Sequence, residues 1–105
     1  MANICDNQFK IYFEGEELKK LISNKLDELF ENELTGEITY EDKDVIEGFF
    51  ESKWCFPNEI FEKFFDEFND DSIEMLCLST EWTLFHIELN IYKNKKWEES
   101  QYFKT

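Results

Sequence analysis

The chain has 105 residues, enough for one domain (1–105) with a sizeable core and too few for two, and its 42% hydrophobic content with 12 phenylalanines excludes disorder. Its 25 acids against 11 bases, every base a lysine, leave a net charge of −14, which excludes direct binding to nucleic acid or to an anionic membrane. Apolar runs such as residues 75–78 fall far short of about 18 residues, so no signal peptide or membrane span is expected and a cytoplasmic protein is.

In chain order, Phe9, Ile11 and Phe13 alternate with Lys10 and Tyr12, a short strand that stops at Glu14 and Gly15. Leu18, Leu21, Ile22, Leu26, Leu29, Phe30 and Leu34 then recur at three- and four-residue spacing and predict an amphipathic helix ending before Gly36. Ile38 and Tyr40, a polar tip at Glu41, Asp42, Lys43 and Asp44, and a run over 45–54 read as a β-hairpin. Pro57 opens a second helix whose buried stripe is Ile60, Phe61, Phe64, Phe65 and Phe68. Asn69, Asp70 and Asp71 turn the chain into a strand over 73–79. A clean alternation over 82–92 places Phe85, Ile87, Leu89 and Ile91 on one face, Asn94 marks a turn, and 97–103 adds a last edge strand. The expected architecture is α+β: a ferredoxin-like β-α-β-β-α-β sandwich, an antiparallel sheet with two helices on one face and one or two extra C-terminal strands.

The opening Met1, Ala2, Asn3, Ile4, Cys5, Asp6, Asn7, followed by a strand, Gly15 and a helix beginning Glu16, Glu17 and Leu18, resembles the YubB-like proteins of phages and plasmids. That family starts Asn-Trp-Cys-x-Asn, and Ile4 stands here in place of the Trp. The segment 49–57, aromatic and running through Trp54 into Pro57, is similar to the family's strand before its Pro-started helix, and 82–94 to its closing strands. The resemblance implies a ferredoxin-like fold and a mobile-element origin, and it carries no enzymatic active site.

Cys5, Cys55 and Cys77 are an odd set without CxxC spacing and read as reduced thiols, Cys77 buried in its apolar run. They lie far from one another and from the lone His86, so no metal site and no cofactor are expected. His86 reads as a sheet-face histidine, since neither an orienting acid nor a nucleophile is evident beside it. With no phosphate loop or nucleophile elbow, an enzyme is not expected. Trp54, Trp82 and Trp97 read as core residues, the last two being the better candidates for partial exposure.

The acids cluster. Lys19 and Lys20 open the first helix and Asp27, Glu28, Glu31 and Glu33 close it, against the preference of the helix dipole. One candidate partner-binding patch combines the hairpin tip with the end of the second helix: Glu41, Asp42, Asp44, Asp66, Glu67, Asp70 and Asp71. A second combines Asp27, Glu28, Glu31 and Glu33 with Glu37 from the turn that follows. Carboxylates on adjacent helical turns, about 5–6 Å apart, imitate a phosphate track. Combined with the mobile-element origin that the resemblance implies, the expectation is an anti-CRISPR or related anti-defence inhibitor, a DNA mimic that occupies the basic nucleic-acid-binding surface of a CRISPR effector or other nuclease. An immunity protein or antitoxin against a basic toxin nuclease is the first alternative. An oligomerising interaction module is the second, and a homodimer through the 97–103 edge fits either.

Overall fold

A computed structural model of the chain describes residues 4–83, 86–98 and 101–104, the last four as backbone. Met1, Ala2 and Asn3 of the N-terminal motif and Phe85 of the late alternation lie outside the described residues. Strand β1 (Ile4–Tyr12) leads to helix α1 (Glu16–Asn32), the hairpin β2 (Thr35–Glu41) and β3 (Val45–Lys53), helix α2 (Asn58–Asp66), and then β4 (Glu74–Glu81), β5 (His86–Lys93), β6 (Lys96–Trp97) and β7 (Gln101–Lys104). All strands pair antiparallel in one sheet of order β2-β3-β1-β4-β5-β6, and β7 also pairs with β5. The protein is thus α+β, with three strands after β4 where one or two were expected.

β1 is longer than its apolar alternation indicates because it is central. Ile4 pairs with Lys53 on one side and Asp6 with Thr80 on the other, so backbone bonds hold a segment whose side chains are mostly polar. Gly15, at φ 102°, makes the turn into α1 in a conformation that a Cβ would strain. Asn94 and Lys95, both at positive φ, form the two-residue turn that fits the twist of β5 and β6.

The two helices pack on the same core. Ile22, Leu26 and Leu29 from α1 and Phe61, Phe64 and Phe65 from α2 join Phe9, Ile11, Ile46, Phe50, Met75 and Tyr92 from the sheet. Phe50 is the hub of the aromatic part, its ring centroid 5.3 to 6.5 Å from those of Phe9, Phe30, Phe56 and Phe61. Phe65 stacks on Tyr92 at 4.3 Å, and the tilted Trp97 ring packs on both at 5.9 and 5.1 Å. Gly48 is required by this packing, since a Cβ there would meet the Phe9 ring at 2.8 Å.

Two tryptophans leave the core. By alternation Trp54 follows Phe50 and Ser52 inward, yet it is 52% exposed and sits at φ 70°. The sharp turn there lets the Ser52 hydroxyl donate to the Cys55 carbonyl at 2.7 Å and drops Phe56 into the core in place of Trp54. A left-handed residue with a bulky side chain costs about 1–3 kcal/mol, which the burial of Phe56 offsets. Trp82 falls in the turn before β5 and is 65% exposed.

Alternation also sorts the sheet into two chemically distinct faces. On β4 and β5 the apolar residues Leu76, Leu78, Ile87, Leu89 and Ile91 face away from the helices, while Cys77, Ser79, Glu81, Glu88 and Asn90 are buried beneath them. Hydrophobic pattern and burial disagree on these two strands. Such local inconsistency marks sites kept for reasons other than folding.

Candidate functional site

Tyr12, at the end of β1, is opposite Val45 on one side and Glu74 on the other. The hairpin tip and the segment after α2 therefore share one end of the sheet, as the first candidate patch requires. The Phe13 amide donates to the Asp44 carbonyl at 3.2 Å and the Glu14 amide to the Ser72 hydroxyl at 3.2 Å, which ties both loops to the same short stretch.

Several carboxylates of that patch are engaged in building these loops. The Lys43 amide at 2.7 Å and the Tyr40 hydroxyl at 3.2 Å hold the Asp42 carboxyl below its ordinary range. The Ser72 hydroxyl at 2.6 Å and amide at 2.8 Å do the same to Asp70, which makes an Asx turn. Asp71 faces the Lys95 ammonium at 3.4 Å, and Lys95 also donates to Asn69 at 2.6 Å. Glu41 accepts from Ser23 at 2.9 Å and so turns back toward α1, and Glu67 is paired with Lys25. Asp44 and Asp66 remain exposed.

The second patch is divided. Glu37 lies on β2 rather than in a turn, and its register opposite Phe49 sends it to the sheet face away from the helices. The neighbours Gly36 and Ile38 pair with Phe50 and Gly48, which face the core, so Glu37 has no other choice. Glu28 and Glu33, by contrast, enter a groove between the two helices, about 320 Å³ in volume, together with Glu67 from the first patch. Its floor is Leu29, Ile60 and Phe64, and Glu59 completes its acidic rim. Lys25 crosses it, its ammonium 5.5 Å from the Phe64 ring centroid and 5.7 Å from that of Phe68. Asp27 and Glu31 are exposed farther round α1, and Glu62 is exposed on α2.

The helix ends correct the dipole expectation. α1 starts with Glu16 and Glu17 in its first turn, and α2 carries Glu59 in its first turn and Lys63 in its last, all favourable placements. The base-free last turn of α1 runs against the dipole, as do Asp66 at the last position of α2 and Glu67 at its C-cap. Glu59 and Glu62 were not among the candidate site residues, although both lie in the acid-rich stretch 59–74. Their signal was position, since Pro57 sets the helix start and Phe61, Phe64 and Phe65 fix which side is buried.

A second constellation lies beneath the helices. The Asn7 amide group donates to the Ser52 hydroxyl at 2.9 Å and to the carbonyls of Cys5 and Phe50 at 3.2 Å each, and its carbonyl accepts from Ser79 at 2.5 Å. Glu88, 1% exposed, accepts from the Phe56 amide at 3.4 Å and stands 3.6 Å from the His86 ring. An acid thus stands near His86, two residues along the same strand, the spacing that puts two side chains on one face. The arrangement anchors the 54–57 turn to the sheet.

The thiols around it are held protonated. Burial pushes Cys5 up to about 11 and raises Cys77 further, and burial together with the Glu88 charge raises Cys55. Cys55 alone of the three is exposed. With the native protein at neutral pH, an aromatic disulfide reagent is expected to titrate one thiol slowly, at Cys55, and all three in denaturant. Cys55→Ser should remove the native reaction entirely.

Among the described residues no group of three or more His, Cys, Asp or Glu side chains is placed to hold a metal ion, and no helix is long and apolar enough to cross a membrane. No protein-family model matches the chain, nor does any curated protein or solved structure.

Proposed function

We propose that this protein is a non-enzymatic inhibitor that lays its acidic helix layer on the basic nucleic-acid-binding surface of another protein. The observation that carries the reading is the convergence of Glu28, Glu33, Glu59 and Glu67 on one interhelical groove, where they outnumber Lys25 and Lys63, together with the exposed Asp27, Glu31, Glu62 and Asp66 on the same two helices. Side chains on adjacent turns lie about 5–6 Å apart, the scale on which a phosphate track presents its charges. Complementary fields raise the association rate and make it fall with salt. The loop-building roles of Asp42 and Asp70 move the working surface from the hairpin tip to the helices.

The β-α-β-β-α-β succession and the order β2-β3-β1-β4 support a ferredoxin-like reading of the first four strands, with β5 to β7 added beyond β4. The YubB-like motifs add a mobile-element origin, for which host defence nucleases, CRISPR effectors among them, are the fitting targets. The helix layer is tested by passing nuclease-treated bacterial lysate over the immobilised protein at low salt. The expected capture is a nucleic-acid-binding protein that elutes at moderate salt, and Glu28→Lys, Glu31→Lys, Glu59→Lys and Glu62→Lys combined should abolish it without changing the circular dichroism. Undiminished capture of the same partner by that variant would show that the helix layer is not the contact.

A further inference from the structure

The sheet face turned away from the helices is divided lengthwise. On the β4–β5 side it is apolar, and Leu76, Leu78 and Leu89 line a groove of about 490 Å³ with Phe49 and Tyr12. Single exposed leucines need no explanation, but a contiguous apolar set drawn from four strands marks an interaction surface. On the β2-β3-β1 side the same face carries three exposed acids, Glu37, Glu51 and Asp6. Asp6 stands directly opposite Glu51, a like-charge pairing that costs the sheet stability. Among the described residues none of the three forms an ion pair, and Lys53 alone offsets them, since Lys10 is matched with Glu47 at 4.0 Å. Trp82, 65% exposed, shares a second hollow of about 250 Å³ with Asp6, Phe49 and Thr80 where the two halves meet.

We infer that this face docks an amphipathic helix of another protein, apolar along one side and basic along the adjoining edge. The helix lies along the strands, its apolar side on β4 and β5 and its lysines or arginines over Asp6, Glu51 and Glu37. Charge complementarity fixes the basic edge, because the acids have no base of their own. A second copy of this chain would bring six such carboxylates against two copies of Lys53, and an anionic membrane would be repelled. Backbone chemistry fixes the helix. β1 and β4 are paired on both sides, so a segment laid on their face finds no free main-chain partner and must satisfy its own amides internally. An aromatic ring beside a carboxylate suits a cation on an alkyl stem, the stem on the ring and the head on the acid. The chain already uses that combination on its other side, where Lys25 lies over the Phe64 and Phe68 rings and pairs with Glu67.

The dimensions agree. β4 and β5 have 8 residues each. A strand of that length runs about 27 Å, which a helix of about 18 residues spans. A helix about 10 Å across covers two strands spaced by about 4.8 Å and leaves its flank over β1. The site is on the opposite side of the sheet from α1 and α2, so it stands whether or not the acidic helix layer binds a basic surface.

Fluorescence anisotropy with the full chain and a labelled synthetic peptide tests it. The probe has about 18 residues, leucines at helical spacing, lysines along one flank and glutamines elsewhere. It should bind at least about tenfold more tightly than a scrambled peptide of the same composition, which carries the same charge without the stripe. Leu78→Asp separates docking from general attraction. An added acid on a protein of net charge −14 would tighten purely electrostatic binding, whereas loss of the apolar contact should weaken it at least about tenfold. Asp6→Asn combined with Glu51→Gln should weaken binding at least about threefold and leave the circular dichroism unchanged. The same charge change on the helix layer, Glu31→Gln with Glu62→Gln, should leave the affinity as it was. Equal binding of the scrambled peptide, tighter binding by Leu78→Asp, or equal losses from the two double variants would overturn the inference. So would self-association of the chain that the peptide disperses, because the face would then belong to a second copy.

Discussion

Phe50→Ala is expected to destabilise the fold by about 3–5 kcal/mol, enough to unfold a domain of ordinary stability, while the same change at its neighbour Phe49 costs about 1 kcal/mol or less. The two residues are chemically identical and adjacent, and the strand sends them to opposite faces. Phe50 is fully buried and its ring meets those of Phe9, Phe30, Phe56 and Phe61, so truncation removes transfer energy and leaves a cavity that rigid neighbours cannot fill. Phe49 is 42% exposed on the far side and loses little that water does not replace. Urea unfolding of both variants at low concentration decides it. Equal losses would mean that β3 is in the other register.

Asn7→Ala is the second large effect, about 2–4 kcal/mol. Asn7 is 1% exposed and answers two serines and two backbone carbonyls through one side chain. Its removal leaves the buried Ser79 hydroxyl without its carbonyl acceptor, while Ser52 loses a donor but still donates to the Cys55 carbonyl, and an orphaned buried hydroxyl costs more than a made bond contributes. Non-additivity identifies that mechanism. Once Ser79 is alanine there is less to orphan, so Asn7→Ala combined with Ser79→Ala should cost distinctly less than the sum of the two single changes. Strict additivity would assign the loss to the cavity alone.

Much of this fold was readable from pattern, and the failures have physical causes. α1 and the stripe of α2 declared themselves through spacing, and the hairpin through its polar tip. The first residues of β1 did not, because Asp6, Asn7 and Gln8 are held by two neighbouring strands rather than by apolar alternation. Trp54 was misread because a positive φ interrupts the alternation that would bury it, and no glycine announces the turn. On β4 and β5 the alternation correctly showed which residues share a face, but hydropathy alone cannot show that Glu88 and Asn90 are the inward ones. That depends on Tyr92 and Cys77, which share their face and belong to the core.

The acidic site was legible as charge and only partly as place. Sequence runs joined Glu37 to Glu33, and the pleat separates them onto opposite faces of the sheet. Runs also gave the hairpin tip the same standing as the helix surface. Yet Asp42 and Asp70 are occupied in turns, and Glu41 is turned toward α1. Local sequence cannot distinguish a carboxylate that caps a loop from one that faces solvent when both sit in an acidic stretch. That Glu28 and Glu59 line one groove is a tertiary fact with no trace in the sequence of either helix.

The central claim is that the helix layer takes the place of nucleic acid on its partner. The most direct measurement is the affinity of the captured partner for fluorescent duplex DNA at increasing concentrations of this protein. Competition predicts an apparent dissociation constant that rises in proportion to the added protein, with an unchanged end-point and no ternary complex. A ternary complex, or DNA affinity that does not change while the protein is bound, would contradict the account.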